Sequence, residues 1–406
     1  MKCGLLGRKL GHSYSPRIHG LLADYSYELF EREPEDLEDF VRRGDWSGLN
    51  VTIPYKKTVL PLCDELSPRA ARIGAVNTLV RRPDGALFGD NTDAYGFEKL
   101  IRTKGFEAAG RKCLVFGSGG ASVMACAVLE DLGAKSVTVV SRQGENNYDN
   151  LDRHADAQLI VNTTPLGMYP DNGAAAADLR RFPACEAVLD VVYNPCRTAL
   201  LLQAERLGVP CAGGLYMLVA QAKRAAELFT GGSIDDAAID RVEARLRRDM
   251  LNLILVGMPG CGKSTVAKAL GEALGREVQE ADALIEAEAG QPIPAIFAAE
   301  GEEGFRKRES AVLRELGKRS GLIVSTGGGC VTREENYEPL HQNGVIVWLQ
   351  REIDRLPKEG RPISLRSDLH ELYEKRRPCY ERFADAVVDN NGSPEATVKA
   401  ILEVLG

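Results

Sequence analysis

Residues 250–265, MLNLILVGMPGCGKST, leave this chain less freedom than any other stretch. An apolar run of strand type at 253–256 leads into Gly257-x-x-x-x-Gly262-Lys263-Ser264, and 265–274 continue with helical spacing. In such a turn successive backbone N–H groups cradle phosphate oxygens. A lysine reaches the outer phosphates and a Ser/Thr hydroxyl reaches Mg²⁺. A plain glycine turn between strand and helix would not explain why Lys-Ser-Thr opens the helix. Gly260, Cys261, Gly262, Lys263, Ser264 and Thr265 are therefore expected to hold the phosphates of a nucleotide such as ATP. The stretch also reads as a second beginning. Residues before it form a separate unit, and those after it complete a nucleotide-handling domain.

A length of 406 residues suits two to three domains. The 44% hydrophobic and 27% charged content is that of a soluble globular protein. A net charge of −7 argues against a nucleic-acid partner. No apolar run approaches about 18 residues, so neither a membrane span nor a membrane partner is expected. The start, MKCGLLGRKLGHS, has no signal-peptide pattern, and a cytoplasmic location is expected. The ten cysteines form no C-x-x-C pair, which favours free thiols in a reducing compartment over zinc or dithiol chemistry.

Upstream, Gly11-His12-Ser13-Tyr14-Ser15-Pro16 carries two hydroxyls at i and i+2. On extended backbone they point the same way and suit a carboxylate or sugar-like hydroxyls. The same residues also read as a helix start, with Ser15 as N-cap and Pro16 first in the helix. Leu49-Asn50-Val51-Thr52-Ile53-Pro54-Tyr55-Lys56 puts polar side chains on one strand face and Lys56 at a helix entry. A lone lysine is by default a solvated surface residue. Gly89-Asp90-Asn91-Thr92-Asp93 offers it a carboxylate, and a Lys and an Asp in one cleft can pass a proton to and from a hydroxyl or carbonyl.

Residues 112–116 read as a strand, Gly117-Ser118-Gly119-Gly120 as a tight turn, 121–132 as a helix and 136–140 as the next strand. A glycine turn at such a helix N-terminus is where a dinucleotide pyrophosphate sits, although Ser122 stands at the third position of G-x-G-x-x-G. The second strand runs into Ser141-Arg142-Gln143, with no acid for a ribose 2′-hydroxyl. An arginine there suits a 2′-phosphate, favouring NADP over NAD; the alternative is an ordinary loop arginine. Strands at 158–162 and 187–192 end in Thr163–Met168 and Tyr193-Asn194-Pro195, loops of the kind that line a ligand crevice. In the helix opened by Gly213-Gly214, Met217 and Leu218 are expected in the core and Gln221 toward the cleft.

Together, GRKLGHSYSP, NVTIPYKK, GAVNTL, GDNTDAYG, VFGSGGAS, VNTTPLGM, DVVYNP and GGLYMLVAQA resemble the ordered motifs of shikimate dehydrogenases over residues 1–230. The resemblance implies NADPH-dependent reduction of 3-dehydroshikimate to shikimate. It implies that Ser13 and Ser15 hold the substrate carboxylate, that Thr52, Asn77 and Gln221 bind ring hydroxyls, and that Asn50 and Tyr193 also bind substrate. Lys56 and Asp93 would be the acid/base pair. Gly117, Ser118, Gly119, Gly120, Ala121, Ser141, Arg142 and Gly214 would bind NADP(H). The family's usual Asn before the arginine is Ser141 here. Relatives that accept quinate or NAD keep much of the same set.

Gly231-Gly232-Ser233 ends a long helix, 234–248 read as one more amphipathic helix, and only Asp249 separates it from the second unit, a stiff joint. Beyond the phosphate loop, Glu280 and Asp282 sit at i and i+2 near a strand end. They could hold Mg²⁺ through water and accept a substrate proton, or be plain acids opening a helix. GEEGFRKRE puts Arg306 one turn from Glu309: a salt-bridged face, or an arginine fork for a carboxylate. A strand at 322–325 ends in Thr326-Gly327-Gly328-Gly329, whose amides permit close ligand approach. Cys261, beside a lysine at a helix N-terminus, is expected to have a lowered pKa and to be alkylated unless ATP protects it.

GMPGCGKST, EADALIE, EGEEGFRKRE, VSTGGGC, GRPIS and RRPCYERFAD resemble shikimate kinase across the rest of the chain. The resemblance implies transfer of the ATP γ-phosphoryl group to the 3-hydroxyl of shikimate. Lys263 would hold phosphates, Ser264 and Glu280 the Mg²⁺ side, and Asp282 the attacking hydroxyl. Arg306 and Arg376 would grip the carboxylate, with Gly328 and Gly329 near the ring, and Arg361 would be the lid arginine. The family usually has Asp in place of Glu280.

The expected architecture is α/β throughout. Residues 1–97 form an α/β substrate domain, 98–214 a Rossmann NADP domain, and 249–406 a P-loop NTPase-type parallel α/β kinase domain, with helix 215–248 packing back on the first. The expected function is a bifunctional enzyme taking small-molecule substrates. The alternatives are an inactive binding or regulatory half, the kinase foremost, or a quinate-type dehydrogenase joined to another small-molecule kinase.

Overall fold

The computed structural model describes residues 1–11, 13–356 and 369–405. By packing, the chain forms two compact units. One comprises Met1–Gly167, Ala174–Tyr193 and Gln203–Leu246; the other comprises Met168–Gly173, Asn194–Leu202 and Arg247–Gly406. Among the described residues no helix is long and apolar enough to cross a membrane.

The first unit holds two sheets. Strands β1 (Lys2–Gly7), β2 (Ser26–Glu31), β3 (Gly48–Val51), β4 (Glu65–Leu66), β5 (Thr78–Arg81) and β6 (Leu87–Asp90) lie in the order β2-β1-β3-β5-β6-β4. Pairing is parallel on both sides of β1 and antiparallel through β3-β5-β6. β1 and β3 are buried almost throughout, as expected of strands covered on both faces. The helices Thr92–Thr103 and Leu215–Thr230 pack together, and Gly96 makes that possible: a Cβ there would lie 2.5 Å from the Met217 carbonyl.

The second sheet is fully parallel: β7 (Lys112–Phe116), β8 (Ser136–Val140), β9 (Leu159–Asn162), β10 (Ala187–Asp190) and β11 (Cys211–Ala212), in the order β11-β10-β9-β7-β8. The chain leaves β7 to one side and returns on the other, so a switch point opens beyond the carboxyl ends of β7 and β9, where α/β folds bind ligands. β9 begins one residue later than the sequence suggests, and β10 ends two residues sooner because its last residue, Asp190, already organises the crevice loops. Asn162 Nδ2 donates to Asp190 Oδ1 at 3.0 Å, and that same oxygen accepts the Val192 N–H at 3.0 Å.

The second unit holds a parallel sheet of β12 (Asn252–Val256), β13 (Val278–Glu280), β14 (Ile323–Ser325), β15 (Gly344–Gln350) and β16 (Ala386–Asp389), ordered β13-β14-β12-β15-β16. The wholly buried NLILV run makes β12 the central strand. Met250, which reads as a new start in the sequence, instead closes the helix Ala237–Met250 and is buried. The helix Lys263–Leu274 follows the glycine turn directly, and the Thr326–Gly329 turn follows β14 beside it.

Candidate active sites

In the first unit Lys56 Nζ lies 2.6 Å from Asp93 Oδ2, with both side chains partly exposed, at 31% and 21%. Asp93 owes its position to Asn91, whose side chain caps the helix Thr92–Thr103 by accepting the Ala94 N–H. The Lys56 carbonyl accepts the Val76 N–H at 2.8 Å, which ties the lysine's turn to the segment carrying Asn77.

A buried polar network runs from this neighbourhood across the sheet. Tyr27 donates its hydroxyl to Asn50 Oδ1 at 2.8 Å, and Asn50 Nδ2 donates to Thr78 Oγ1 at 3.3 Å. Thr78 and Thr92 hydroxyls lie 2.9 Å apart, and Asn77 Oδ1 accepts the Thr92 N–H at 2.6 Å. Thr92 Oγ1 donates to Gln221 Oε1 at 3.4 Å. Asn50, Asn77 and Gln221 are thus brought together as expected, while Tyr27, Thr78 and Thr92 were not anticipated. Thr52 is half-buried at the end of β3, and Tyr193 meets Tyr14 edge-on at 6.0 Å. Met217 and Leu218 are half-buried rather than core.

The Ser13–Ser15 geometry differs from the expectation. Tyr14 has helical backbone angles, so the pair is not extended, and Ser15 is the first residue of the helix Ser15–Leu22 rather than its cap. Instead the Ser13 hydroxyl accepts the Ser15 N–H at 3.2 Å. Behind this loop His19 is buried, stacks on Tyr27 at 4.0 Å and lies 2.6 Å from the Tyr25 hydroxyl. Burial pulls its pKa down to about 3, against a smaller opposing contribution from Asn50.

Beyond β7 and β9 a cavity of 690 Å³ is lined by Gly117, Ser118, Gly119, Ser141, Arg142, Thr163 and Thr164, together with the unanticipated Tyr148, Ala175 and Ala176. Gly119 caps the helix Gly120–Asp131, so Gly120 and Ala121 contribute its first-turn amides without lining the cavity. Arg142 is exposed and makes no ion pair among the described residues. Gly214 does not line this cavity either. Its need is for space: a Cβ there would fall 2.1 Å from the Val191 carbonyl oxygen.

In the second unit a cavity, also of 690 Å³, is lined by Gly260, Gly262, Lys263, Ser264, Thr265, Glu280, Asp282, Arg306, Gly328, Gly329 and Arg376. Lys263 is buried, and its ammonium donates to the Gly257 and Met258 carbonyls at 2.9 and 3.1 Å. Ser264 Oγ donates to Glu280 Oε2 at 2.9 Å, while Glu280 Oε1 is buried with no hydrogen-bond partner. A hydroxyl beside an under-satisfied carboxylate suits a hard divalent cation that keeps several waters.

Opposite the loop, Arg306 Nη1 donates to the fully buried Glu309 at 2.6 Å. Burial works against the guanidinium charge, and the Glu309 carboxylate overcomes it, leaving the arginine's pKa raised. Gly329 leaves room for the guanidinium: a Cβ there would lie 2.1 Å from Arg306 Nη2 and would displace it. Arg376 Nη1 and the Tyr380 hydroxyl both donate to the Gly328 carbonyl, at 3.1 and 2.5 Å. The salt bridge and the arginine fork are therefore compatible: Glu309 anchors one edge of Arg306 while the residue still lines the cavity.

Cys261 departs from its expected reactivity. Its side chain is fully buried beneath the loop, although Lys263 Nζ lies 3.9 Å from its Sγ as the sequence leads one to expect, and only its backbone belongs to the phosphate turn. Asn390 Nδ2 holds the Cys261 carbonyl at 2.5 Å. Arg361 lies outside the described residues. Pro259, inside the phosphate loop, and Phe305, next to Arg306, also line the cavity, as do Phe297 and Arg351, which nothing in their sequence context marks out.

Comparison with known proteins bears on both units. The shikimate dehydrogenase substrate-binding domain model matches residues 5–79, and the shikimate kinase model matches residues 259–406. The NADP(+) shikimate dehydrogenase of Clostridium perfringens strain SM101 is 34% identical over 265 residues, covering 60% of this chain and 97% of the relative. Among solved structures, a chorismate mutase/shikimate 5-dehydrogenase fusion from Clostridium acetobutylicum aligns at TM-score 0.58 with 38% identity, over 60% of this chain and 96% of that one. Shikimate 5-dehydrogenase from Thermus thermophilus, in complex with NADP(H) and shikimate, aligns at TM-score 0.55 with 32% identity, over 60% and 99%.

Proposed function

The chain belongs to the shikimate dehydrogenase family and carries a shikimate kinase domain behind it, a bifunctional shikimate-pathway enzyme, and we propose that it reduces 3-dehydroshikimate to shikimate and then phosphorylates the 3-hydroxyl. Both steps fall at the same oxygen and belong to aromatic amino acid biosynthesis. Bound NADPH supplies the hydride, and bound ATP with Mg²⁺ supplies the phosphoryl group. We read the division as a substrate domain at 1–97, a nucleotide domain at 98–214 with 215–248 returning to the first, and a kinase domain at 249–406. The cytoplasm is the compartment such small-molecule chemistry calls for.

In the first unit Asp93 orients the Lys56 ammonium. As the carbonyl gains hydride, negative charge grows on its oxygen; the ammonium stabilises it and gives up a proton to form the hydroxyl. Ser13 and Ser15 receive the substrate carboxylate, and Asn50, Thr52, Asn77, Tyr193 and Gln221 the rest of the ring. Arg142 takes the 2′-phosphate at the rim of the crevice, whose lining holds no carboxylate among the described residues. In the second unit Lys263, Ser264 and the loop amides position the phosphates, Glu280 completes the cation side, and Asp282 orients the accepting hydroxyl. Phosphoryl transfer asks chiefly for such positioning and charge neutralisation.

The observation that carries the reading is the convergence of two buried arginines, Arg306 and Arg376, on the Gly328–Gly329 turn inside the phosphate-loop cavity. A pocket built only for nucleotide has no use for them; an acid-bearing acceptor does. The test is ADP release by the purified chain with ATP and Mg²⁺. Release should depend on shikimate and collapse in Arg306→Met and Arg376→Met. Release supported equally by an acceptor lacking the carboxylate would overturn the assignment.

A further inference from the structure

Arg351 directly follows β15 and lines the same cavity as the phosphate loop. Its Nε is buried with no hydrogen-bond partner, although the residue as a whole is half-buried. The guanidinium lies against the phosphate turn: a Cβ on Gly262 would be 3.7 Å from Arg351 Nη1. The nearest acids are engaged elsewhere: in sequence, Glu352 with Arg355 at 2.8 Å and Asp354 with His370 at 3.1 Å, and on the neighbouring strand β16, Asp389 as acceptor for Asn391. Among the described residues no carboxylate pairs with Arg351. Every other arginine lining the cavity is held by protein, Arg306 by Glu309 and Arg376 by the Gly328 carbonyl. A guanidinium with a buried, unsatisfied donor is costly unless an anion completes it.

We infer that Arg351 is a second phosphate-binding cation of this cavity, one that holds the nucleotide's polyphosphate from the Gly262 side while Lys263 holds it from within the loop. The inference rests on the nucleotide reading of the cavity. Position supports it: Gly262 is the turn residue whose amide precedes Lys263, and Asn390 Nδ2, 3.0 Å from the same notional Cβ, already fixes the Cys261 carbonyl. Arg351 is therefore added to a turn whose backbone is pinned from the same side. Its five-donor fork suits phosphate oxygens better than a point charge would.

The experiment is calorimetric titration of the full chain with ADP and, separately, with inorganic tripolyphosphate, for wild type, Arg351→Ala and Arg351→Lys. Dehydrogenase turnover and thermal melting serve as folding controls. Arg351→Ala should weaken both ligands by the same factor, about 10- to 100-fold, and Arg351→Lys should recover part of it. In kinase assays the KM for ATP should rise while the KM for shikimate stays unchanged. If Arg351→Ala weakens ADP but not tripolyphosphate, the arginine contacts the base and the inference is wrong. Unchanged binding of both ligands also overturns it. A wild-type chain that binds neither ligand would remove the nucleotide reading, and the inference with it.

Discussion

Lys56 Nζ and Asp93 Oδ2 sit 2.6 Å apart, though 37 residues separate them in the chain. The pair is partly open to solvent and adjoins the Asn77–Thr92–Gln221 network. A lysine so placed is available to a substrate oxygen, and an aspartate so placed fixes its direction. Lys56→Met should lower the dehydrogenase kcat by about 10²–10⁴-fold, the usual range for a positioned acid. Asp93→Asn should lower it as well, and the double variant should be little worse than the worse single one, because the two act as a unit. Kinase turnover in the same preparations should be untouched. Additive losses would separate the two residues' roles.

Arg142 stands at the crevice rim with no ion-pair partner among the described residues. Arg142→Ala should raise the KM for NADPH about tenfold while leaving that for NADH nearly unchanged. The check is paired kinetics with both cofactors; equal loss for the two would mean that the arginine does not read the 2′-phosphate.

Glu280 replaces the shorter acid usual at its position, yet Ser264 Oγ still reaches its Oε2 at 2.9 Å. The longer arm is thus accommodated, and its other oxygen is buried without a hydrogen-bond partner, as would suit the water shell of a bound cation. Glu280→Gln should raise the Mg²⁺ concentration needed for half-maximal kinase rate by about 10- to 100-fold, as losses of cation-orienting groups do. Glu280→Asp should retain most of the wild-type response. A Gln variant with a normal Mg²⁺ titration would detach Glu280 from the metal.

His19 predicts a pH dependence of stability. Its folded pKa of about 3 lies below the unfolded value near 6.5. Between those values the unfolded chain binds a proton that the folded chain refuses, so this contribution is complete above about pH 6.5 and is lost progressively as pH falls toward 3. The slope approaches about 1.4 kcal/mol per pH unit in that window. Urea unfolding at pH 7.5 and 5.5 should reveal it, and His19→Phe should flatten the difference. An unchanged slope in that variant would assign acid sensitivity to other groups.

Much of this was legible in the chain. The runs at β7, β9, β10 and β12 are apolar but for one polar residue at an end of each, because central parallel strands are covered on both faces, so they could be read without alternation. The glycine turns after β7 and β12 follow from the same topology. Three kinds of information were not local. Tyr27 reaches Asn50 across 23 residues, and nothing around SYELFE distinguishes that tyrosine from one facing solvent. Tyr148 and Arg351 enter their cavities only through tertiary packing. Cys261 has the sequence neighbours of a reactive thiol, but the turn rotates its side chain into the core. The Ser15 cap failed for a smaller reason: Tyr14 already has helical angles, so the helix begins one residue sooner.

With both sites on it, one chain performs two consecutive reactions on one small acid. The most direct measurement is mass spectrometry of the purified protein incubated with 3-dehydroshikimate, NADPH, ATP and Mg²⁺. Shikimate 3-phosphate should form, absent when either NADPH or ATP is omitted, with shikimate accumulating when only ATP is withheld. Shikimate without its phosphate in the complete mixture would contradict the kinase half, and recovery of unreacted 3-dehydroshikimate would contradict the dehydrogenase half.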